Sequence, residues 1–369
     1  MRWLLLLWLW PLGAAAQQTR TLGKPDFEHK EPFTQIASLR ELRDGRLIVL
    51  DSRENTLQLI DPKSSQAAPI GSEGSGPSEW RRPTNVYALP GDSTLVQDPP
   101  NGRFLILGPD GKPARIFRPE GGGGGTLRAT DVRGQMYYQA PLVVTNVDGS
   151  PAFPDSIPVM RYDPATHRHD TLAFVAVPPR RVNASTSSAG PRTVVGVTSP
   201  FDPVDDWTVL PDGRLIIVRT ADYHVEIMGS NGQRVVGKSV PFTSFPVTGE
   251  DKERWRAARR NVRPTFLGRD GQPIAPPANF QIPEPIWPER KPAFASGAAR
   301  VAPNGEIWVL RNRASSDVTP VFDVFNARGE RTGNVTLPAR TSLVGFGARH
   351  LYLVRTDEDD LQYLQRYPL

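Results

Sequence analysis

DGRLIVLDSRENTLQLIDP, Asp44 to Pro62, is a unit that the chain repeats. An Asp-Gly turn is followed by an apolar strand, a polar loop, a second apolar strand and a closing Asp-Pro turn. Gly after Asp is the usual hairpin signal, because glycine adopts positive φ at no steric cost. Working outward, the same order recurs five more times. Its apolar cores are Leu47 to Leu50, Leu95 to Val96, Met136 to Tyr138, Leu215 to Val218, Ile307 to Leu310 and Leu351 to Val354. They follow the turns Asp44-Gly45, Gly91-Asp92, Arg133-Gly134, Asp212-Gly213, Asn304-Gly305 and Gly347-Ala348. A second turn closes five of the units, at Asp61-Pro62, Asp110-Gly111, Asp163-Pro164, Asn231-Gly232 and Arg328-Gly329. The sixth lacks it, because its third strand, Leu361 to Tyr367, nearly reaches Leu369.

Four-stranded units repeated at roughly 40–45 residues are the pattern of a propeller. The expected fold is all-β, a six-bladed β-propeller. The last sheet is one strand short, and the segment from about Leu22 to Phe33 precedes the first blade. Pairing it there closes the ring and covers an edge. Longer spacings call for insertions, one around blade three and a larger one, Thr243 to Gly297, between blades four and five. A seventh blade within the larger insertion is disfavoured, because its many prolines would block ladder hydrogen bonds.

Composition agrees with a folded, turn-rich chain. The 32 glycines and 38 prolines are nearly a fifth of the 369 residues, too many for a helical protein, while 38% hydrophobic residues suffice for a core. The net charge is +5, but 44 basic residues are dispersed among 39 acidic ones, which disfavours nucleic acid as a partner. Arg2, the apolar run Trp3 to Trp10 and the small residues Ala14, Ala15 and Ala16 form a secretory signal, residues 1–16. The run is far shorter than the ~20 residues that a bilayer requires, so no membrane span is expected after cleavage. Residues 17–369 are then a single propeller domain in the periplasm or the medium. The chain has no cysteine, which excludes disulfides, thiolate metal sites and a cysteine nucleophile.

Between blades one and two stands GSEGSGPSEWRRP, Gly71 to Pro83. It resembles the glycine-rich signature, roughly GxEGxGPGEF followed by proline, of bacterial six-bladed propeller proteins related to NHL-repeat proteins. Gly71, Glu73, Gly74, Gly76, Pro77, Glu79 and Pro83 match, whereas Ser78 replaces a glycine and Trp80 a phenylalanine. KPAF, Lys291 to Phe294, is a further echo. The resemblance implies the fold and little chemistry, since that class includes both binders and a lyase. Physically, the glycines permit a tight crossover and Trp80 is expected to wedge between blades. No helix follows the loop, so it is not read as a phosphate cradle.

No catalytic, metal or cofactor site is assigned. The five histidines, His29, His167, His169, His224 and His350, fall outside the first strands, and Glu73, Asp98 and Asp206 reach toward the channel without a diagnostic calcium spacing. There is no G-x-S-x-G nucleophile elbow. Two basic features remain. Thr248 and Asp251 have capping-box spacing ahead of a helix that Pro264 ends, with Trp255, Ala258 and Val262 on one face and Lys252, Arg256, Arg259, Arg260 and Arg263 on or beside another. Six positions past the turns stand Asp51, Asp98, Arg219 and Arg311, with Ala140 breaking the series and Arg355 seven past the last turn, and Arg53, Arg103 and Arg313 follow nearby. The expected site is therefore an arginine-rich rim of Arg219, Arg311, Arg313 and Arg355, with Arg53 and Arg103, under the Trp255 helix. It suits an anionic protein, peptide or glycan. An exported, non-enzymatic binding propeller is the first reading and a metal-assisted lyase or lactonase-like enzyme the alternative.

Overall fold

A computed structural model of the chain describes residues 18–120, 125–141, 144–145, 151–152, 154–178, 182–185, 193–196, 198–259, 266–267, 273–274 and 284–369. The expected signal segment, residues 1–16, and the expected helix residues Arg260, Val262, Arg263 and Pro264 lie outside it.

The strand Leu47–Asp51 shows how the sequence makes the architecture. Leu47, Ile48, Val49 and Leu50 are all fully buried, so this strand is covered on both faces. Leu47 and Val49 pack with Tyr352, Val354 and Leu364 of blade six. Ile48 and Leu50, pointing the other way, pack with Val96, Leu105 and Leu107 of blade two. The same division holds in blade four, where Leu215 and Ile217 face blade three and Ile216 and Val218 face blade five. Unbroken apolar runs in the second strands thus follow from radial stacking, in which each sheet is a core layer for two neighbours. Among the described residues the buried side chains form one cluster at each of the six junctions.

The chain makes the six-bladed propeller that its repeats imply. Blade one is Ile36–Glu41, Leu47–Asp51, Thr56–Asp61 and Gln66–Ile70. Blade two is Asn85–Ala88, Thr94–Asp98, Arg103–Leu107 and Pro113–Phe117. Blade three is Thr126–Thr130, Met136–Gln139, Ser156–Asp163 and Arg168–Ala176. Blade four is Asp206–Val209, Leu215–Arg219, His224–Met228 and Arg234–Val236. Blade five is Phe294–Val301, Ile307–Arg311, Val321–Phe325 and Arg331–Thr336. Blade six is Thr341–Phe346, His350–Thr356 and Gln362–Pro368, and its fourth strand is Phe27–Glu28.

The N-terminal segment therefore closes the ring. Phe27 pairs with Arg366 and Glu28 with Gln365 in antiparallel register. Phe33 N–H donates to Gln362 O at 2.7 Å, and Gln362 N–H returns a bond to Phe33 O at 2.9 Å. The sequence did not suggest a further strand, Gln18–Thr21, which adds in parallel to the outer strand of blade five. Arg20 holds it there, 2.7 Å from Glu306 and with its guanidinium 5.6 Å above the Trp308 ring.

The glycine-rich crossover is built around Trp80, which is 1% exposed in the junction between blades one and two and donates its Nε1–H to Asn55 O at 2.9 Å. Gly74 has φ +155°, and a Cβ there would stand 2.0 Å from Glu79 Oε2. That close approach is needed because Glu79 turns inward to accept from Gly76 N–H at 2.7 Å, capping the loop. Within the larger insertion, the helix α1, Gly249–Arg259, starts at a capping box. Thr248 N–H donates to Asp251 Oδ2 at 2.9 Å, and Asp251 N–H donates to Thr248 Oγ1 at 3.4 Å.

Candidate functional site

Strands alternate in direction, so the turns after first and third strands share one face, while the loops after second strands share the other with the crossovers. The long connections 140–155, 177–205 and 237–293 all leave and re-enter on that second face. Two of them contain the hairpins Val182–Ser185 with Thr193–Gly196 and Phe266–Leu267 with Pro273–Ile274, and the third contains Val144–Thr145 with Pro151–Ala152. The elaborated face is the one that carries the expected arginine rim.

At the ends of the second strands, blades one and two differ from blades four to six for a physical reason. Asp51 is buried and accepts from the N–H groups of Thr34 at 2.8 Å, Arg53 at 2.9 Å and Glu54 at 3.1 Å, so it pins both the loop and the incoming chain. Asp98 accepts from Arg81 N–H at 3.2 Å and Asn101 Nδ2 at 2.6 Å. In blade four that role passes to Asp205, which accepts from Ala176 N–H at 2.9 Å and Thr220 N–H at 3.0 Å. Arg219, at the strand end, then serves Asp205 at 2.7 Å and Glu226 at 3.0 Å. Glu226 also accepts from Arg234 and His224; burial works against its charge, but the hydrogen bonds from Arg219, Arg234 and His224 prevail and hold its carboxyl at about 2.

The remaining rim arginines, Arg53 apart, are likewise partnered. Arg311 lies 3.5 Å from Asp323, which also takes Arg331 at 2.7 Å and the Tyr223 hydroxyl at 2.8 Å. Arg313 pairs with Asp317, four positions later in the same loop. Arg355 pairs with Glu28 at 3.0 Å and lies 4.4 Å above the Tyr363 ring. Arg103 is corrected most clearly. It is 5% exposed, and its guanidinium donates to the carbonyls of Ser75, Gly76 and Glu79 at 3.1, 2.8 and 2.6 Å, so it clamps the glycine-rich loop from below. Arg53 is exposed, and its side chain has no partner among the described residues.

Two arginines that the sequence reading passed over stand beside Arg53. Arg81 and Arg82 are exposed on the crossover and, like Arg53, make no side-chain ion pair or hydrogen bond among the described residues. The Trp80 bond to Asn55 ties their loop to the loop of Arg53. The signal was present as two adjacent arginines after Trp80 in a loop whose tryptophan must point inward.

Trp255 is buried on α1 and meets Trp287 edge-on at 5.7 Å, with the Arg259 guanidinium 4.4 Å above its own ring. Arg256 is taken by Glu253 and Glu284. Beside Arg259 lies a pocket of about 220 Å³ walled by Val175, Val177, Pro200 and Val204, with Asp202 and Ser296 on its lining. Burial raises the Asp202 carboxyl above its ordinary value, against a bond from Ser199 N–H at 2.7 Å that favours the charge. On the opposite face the first strands end in an open funnel of about 620 Å³, to which all six blades contribute.

Of the channel candidates for a metal, Asp206 and Asp98 are otherwise engaged. Asp206 accepts from Arg128 at 2.6 Å and from Ala299 N–H at 2.7 Å, Asp98 holds its loop, and Glu73 is exposed. His167 and His169 bond Tyr162 and Tyr138 on blade three. Among the described residues no group of three histidine, aspartate or glutamate side chains is placed to hold a metal ion.

No protein-family model matches the chain, and no curated protein matches it. Solved structures similar to it include a member of the DUF4221 family from Bacteroides vulgatus, with TM-score 0.49 and 10% identity over 94% of this chain and 96% of that one. A gluconolactonase from Xanthomonas campestris has TM-score 0.43 and 9% identity over 96% and 99%. A virginiamycin B lyase from Staphylococcus aureus has TM-score 0.43 and 8% identity over 93% and 98%.

Proposed function

We propose that the protein is an exported, non-catalytic binding propeller whose elaborated face receives an acidic peptide or glycan. The observation that carries this reading is the contrast in arginine pairing. Arg219, Arg311, Arg313 and Arg355 each have a carboxylate partner, whereas Arg53, Arg81 and Arg82 are exposed on adjoining loops with none among the described residues. A guanidinium already matched to a carboxylate has little left for a ligand, while three unmatched ones on one edge offer paired donors to carboxylate groups. This contrast favours an anionic ligand over blades one and two rather than over blades four to six. Arg53, Arg81 and Arg82 are steadied without being consumed, because their loops are fixed by Asp51, Asp98 and Trp80.

The test is binding of acidic peptides and uronic-acid oligosaccharides to the wild type, to the triple variant Arg53→Ala, Arg81→Ala, Arg82→Ala, and to the double variant Arg311→Ala, Arg355→Ala. The triple variant is expected to lose binding and a folded double variant to keep it. Affinity should fall with salt, as the Debye length shrinks from about 10 Å at 0.1 M to about 3 Å at 1 M. Equal binding by the wild type and the triple variant overturns the proposal. One metal ion per purified chain, with turnover of a lactone, replaces it by the enzyme reading.

A further inference from the structure

The first strand of blade five departs from regular pairing where it passes the axis. Phe294 is opposite Arg311 and Ala299 is opposite Val309, so Ala295, Ser296, Gly297 and Ala298 bulge from the ladder, with Gly297 at φ +80°. Such a bulge leaves ladder groups unpaired and re-aims the side chains beyond it. Two charged side chains take up those groups. Arg300 Nη1 donates to Gly297 O at 2.6 Å and to Ala299 O at 2.9 Å, while Asp206 Oδ2 accepts from Ala299 N–H at 2.7 Å. The other Asp206 oxygen is filled by Arg128 Nη2 at 2.6 Å, and Arg128 stacks 4.9 Å above the Trp207 ring.

The charges in this cluster do not balance. One carboxylate, its two oxygens taken by Arg128 and by Ala299 N–H, stands against two guanidinium groups, and Arg300 makes no ion pair with it. Among the described residues Arg300 gives only Nη1 to the protein; its Nε–H and Nη2 donors have no partner there, yet they are not sealed from solvent. A guanidinium carries five donors in a rigid planar fork, and the Nε and Nη2 edge is the one that grips an oxyanion with two parallel bonds. Arg300 itself is partly exposed, and Val301 and Ala302, which follow it, line the open funnel. Charge without a counter-charge inside a protein is costly, and a bound anion relieves that cost.

We infer that the central channel holds a small oxyanion, a carboxylate or phosphate group, gripped by Arg300 with Arg128 beside it. The site is on the axis, away from Arg53, Arg81 and Arg82, and stands independently of the reading of that face. It differs from the rim arginines in being preorganised, since the bulge fixes Arg300 before any ligand arrives.

Calorimetric titration with inorganic phosphate and, separately, with acetate tests it and distinguishes a phosphoryl from a carboxylate preference. Saturable binding of one of them by the wild type, weakened at least tenfold in Arg300→Gln and little changed in the Arg53, Arg81, Arg82 triple variant, is the expected result. Trp207 provides a second readout, a fluorescence change on anion binding that disappears in Trp207→Phe. Wild-type crystals soaked in selenate should show anomalous density beside Arg300, and this decides the matter if Arg300→Gln does not fold. No saturable binding of either anion, equal binding by a folded Arg300→Gln, or selenate confined to the outer faces overturns the inference.

Discussion

Lys291 Nζ lies 2.8 Å from Asp251 Oδ1, and both side chains are almost wholly withdrawn from solvent, at 4% and 0% exposed. This pair fixes the helix of the insertion to blade five. Ser315 Oγ adds a bond to Asp251 at 2.6 Å, and Lys291 also donates to Arg313 O at 3.0 Å. Burial opposes the Asp251 charge, but the bonds from Lys291, Ser315 and Thr248 prevail and set its carboxyl at about 2. Replacing Lys291 with methionine strands a buried carboxylate and is expected to cost about 3–5 kcal/mol. Because the folded value lies below the unfolded one, the stabilisation is complete above the ordinary aspartate range and is lost as pH falls toward 2. Urea midpoints of the two proteins should therefore converge in acid. A gap as wide at pH 2 as at pH 7 would show that Lys291 stabilises by packing alone.

Arg103 gives a second expectation, because its buried guanidinium is shared between Asp98, 3.5 Å away, and three loop carbonyls. Arg103→Met removes the donors and leaves Asp98 with less compensation, at a cost of about 3–5 kcal/mol. Thermal unfolding checks this. Wild-type stability combined with lost ligand binding would return Arg103 to the binding face.

The hairpin turns were legible in the local sequence. Gly45, Gly213 and Gly305 have φ of 91°, 89° and 83°, so the Asp-Gly and Asn-Gly signals marked real turns, and turns set the number of blades. The arginine rim was legible only in half. Sequence spacing placed the donors at the strand ends, but their acceptors come from elsewhere in the fold, as with Glu28, 327 positions from Arg355. Nothing in a local pattern distinguishes a paired arginine from a free one. The bulge was closer to legible, since Gly297 inside an otherwise strand-like FASGAAR is a recognised mark of irregular pairing.

Ring closure by the N-terminal strand can be tested by deletion of residues 17–30. The truncation removes the fourth strand of blade six, with Asp26 N–H to Arg366 O and His29 N–H to Leu364 O, each at 2.9 Å, and the buried Phe27 ring. At about 1 kcal/mol per hydrogen bond and about 2 kcal/mol for the phenylalanine, the loss is several kcal/mol before any cost of the exposed edge. The expected result is a Tm lower by several degrees and a tendency to associate through the open strand Gln362–Pro368. An unchanged Tm would mean that side-chain packing alone closes the ring.

Export is tested on material recovered outside the cytoplasm. Cleavage after Ala16 leaves Gln17 as the first residue and spares Gln18–Thr21, the first strand that pairs. N-terminal sequencing should begin at or near Gln17. An intact chain beginning at Met1 in the membrane fraction would show that the apolar run is an anchor.

Asp202 behaves oppositely to Asp251. Its carboxyl is raised because burial in the pocket beside α1 outweighs the single bond from Ser199 N–H. A carboxyl that holds its proton more tightly when folded makes the folded state bind more protons across the titration, so stability declines as pH rises through that range. Asparagine keeps an acceptor for Ser199 N–H and carries no charge, so Asp202→Asn should be at least as stable as the wild type at pH 7. The difference should vanish in acid, where the wild-type carboxyl is protonated as well. Paired urea unfolding curves from pH 4 to pH 7 measure this directly. A variant less stable than the wild type at pH 7 would mean that Arg259, on the same pocket, compensates the charge, and that the pocket is already neutral before a ligand enters.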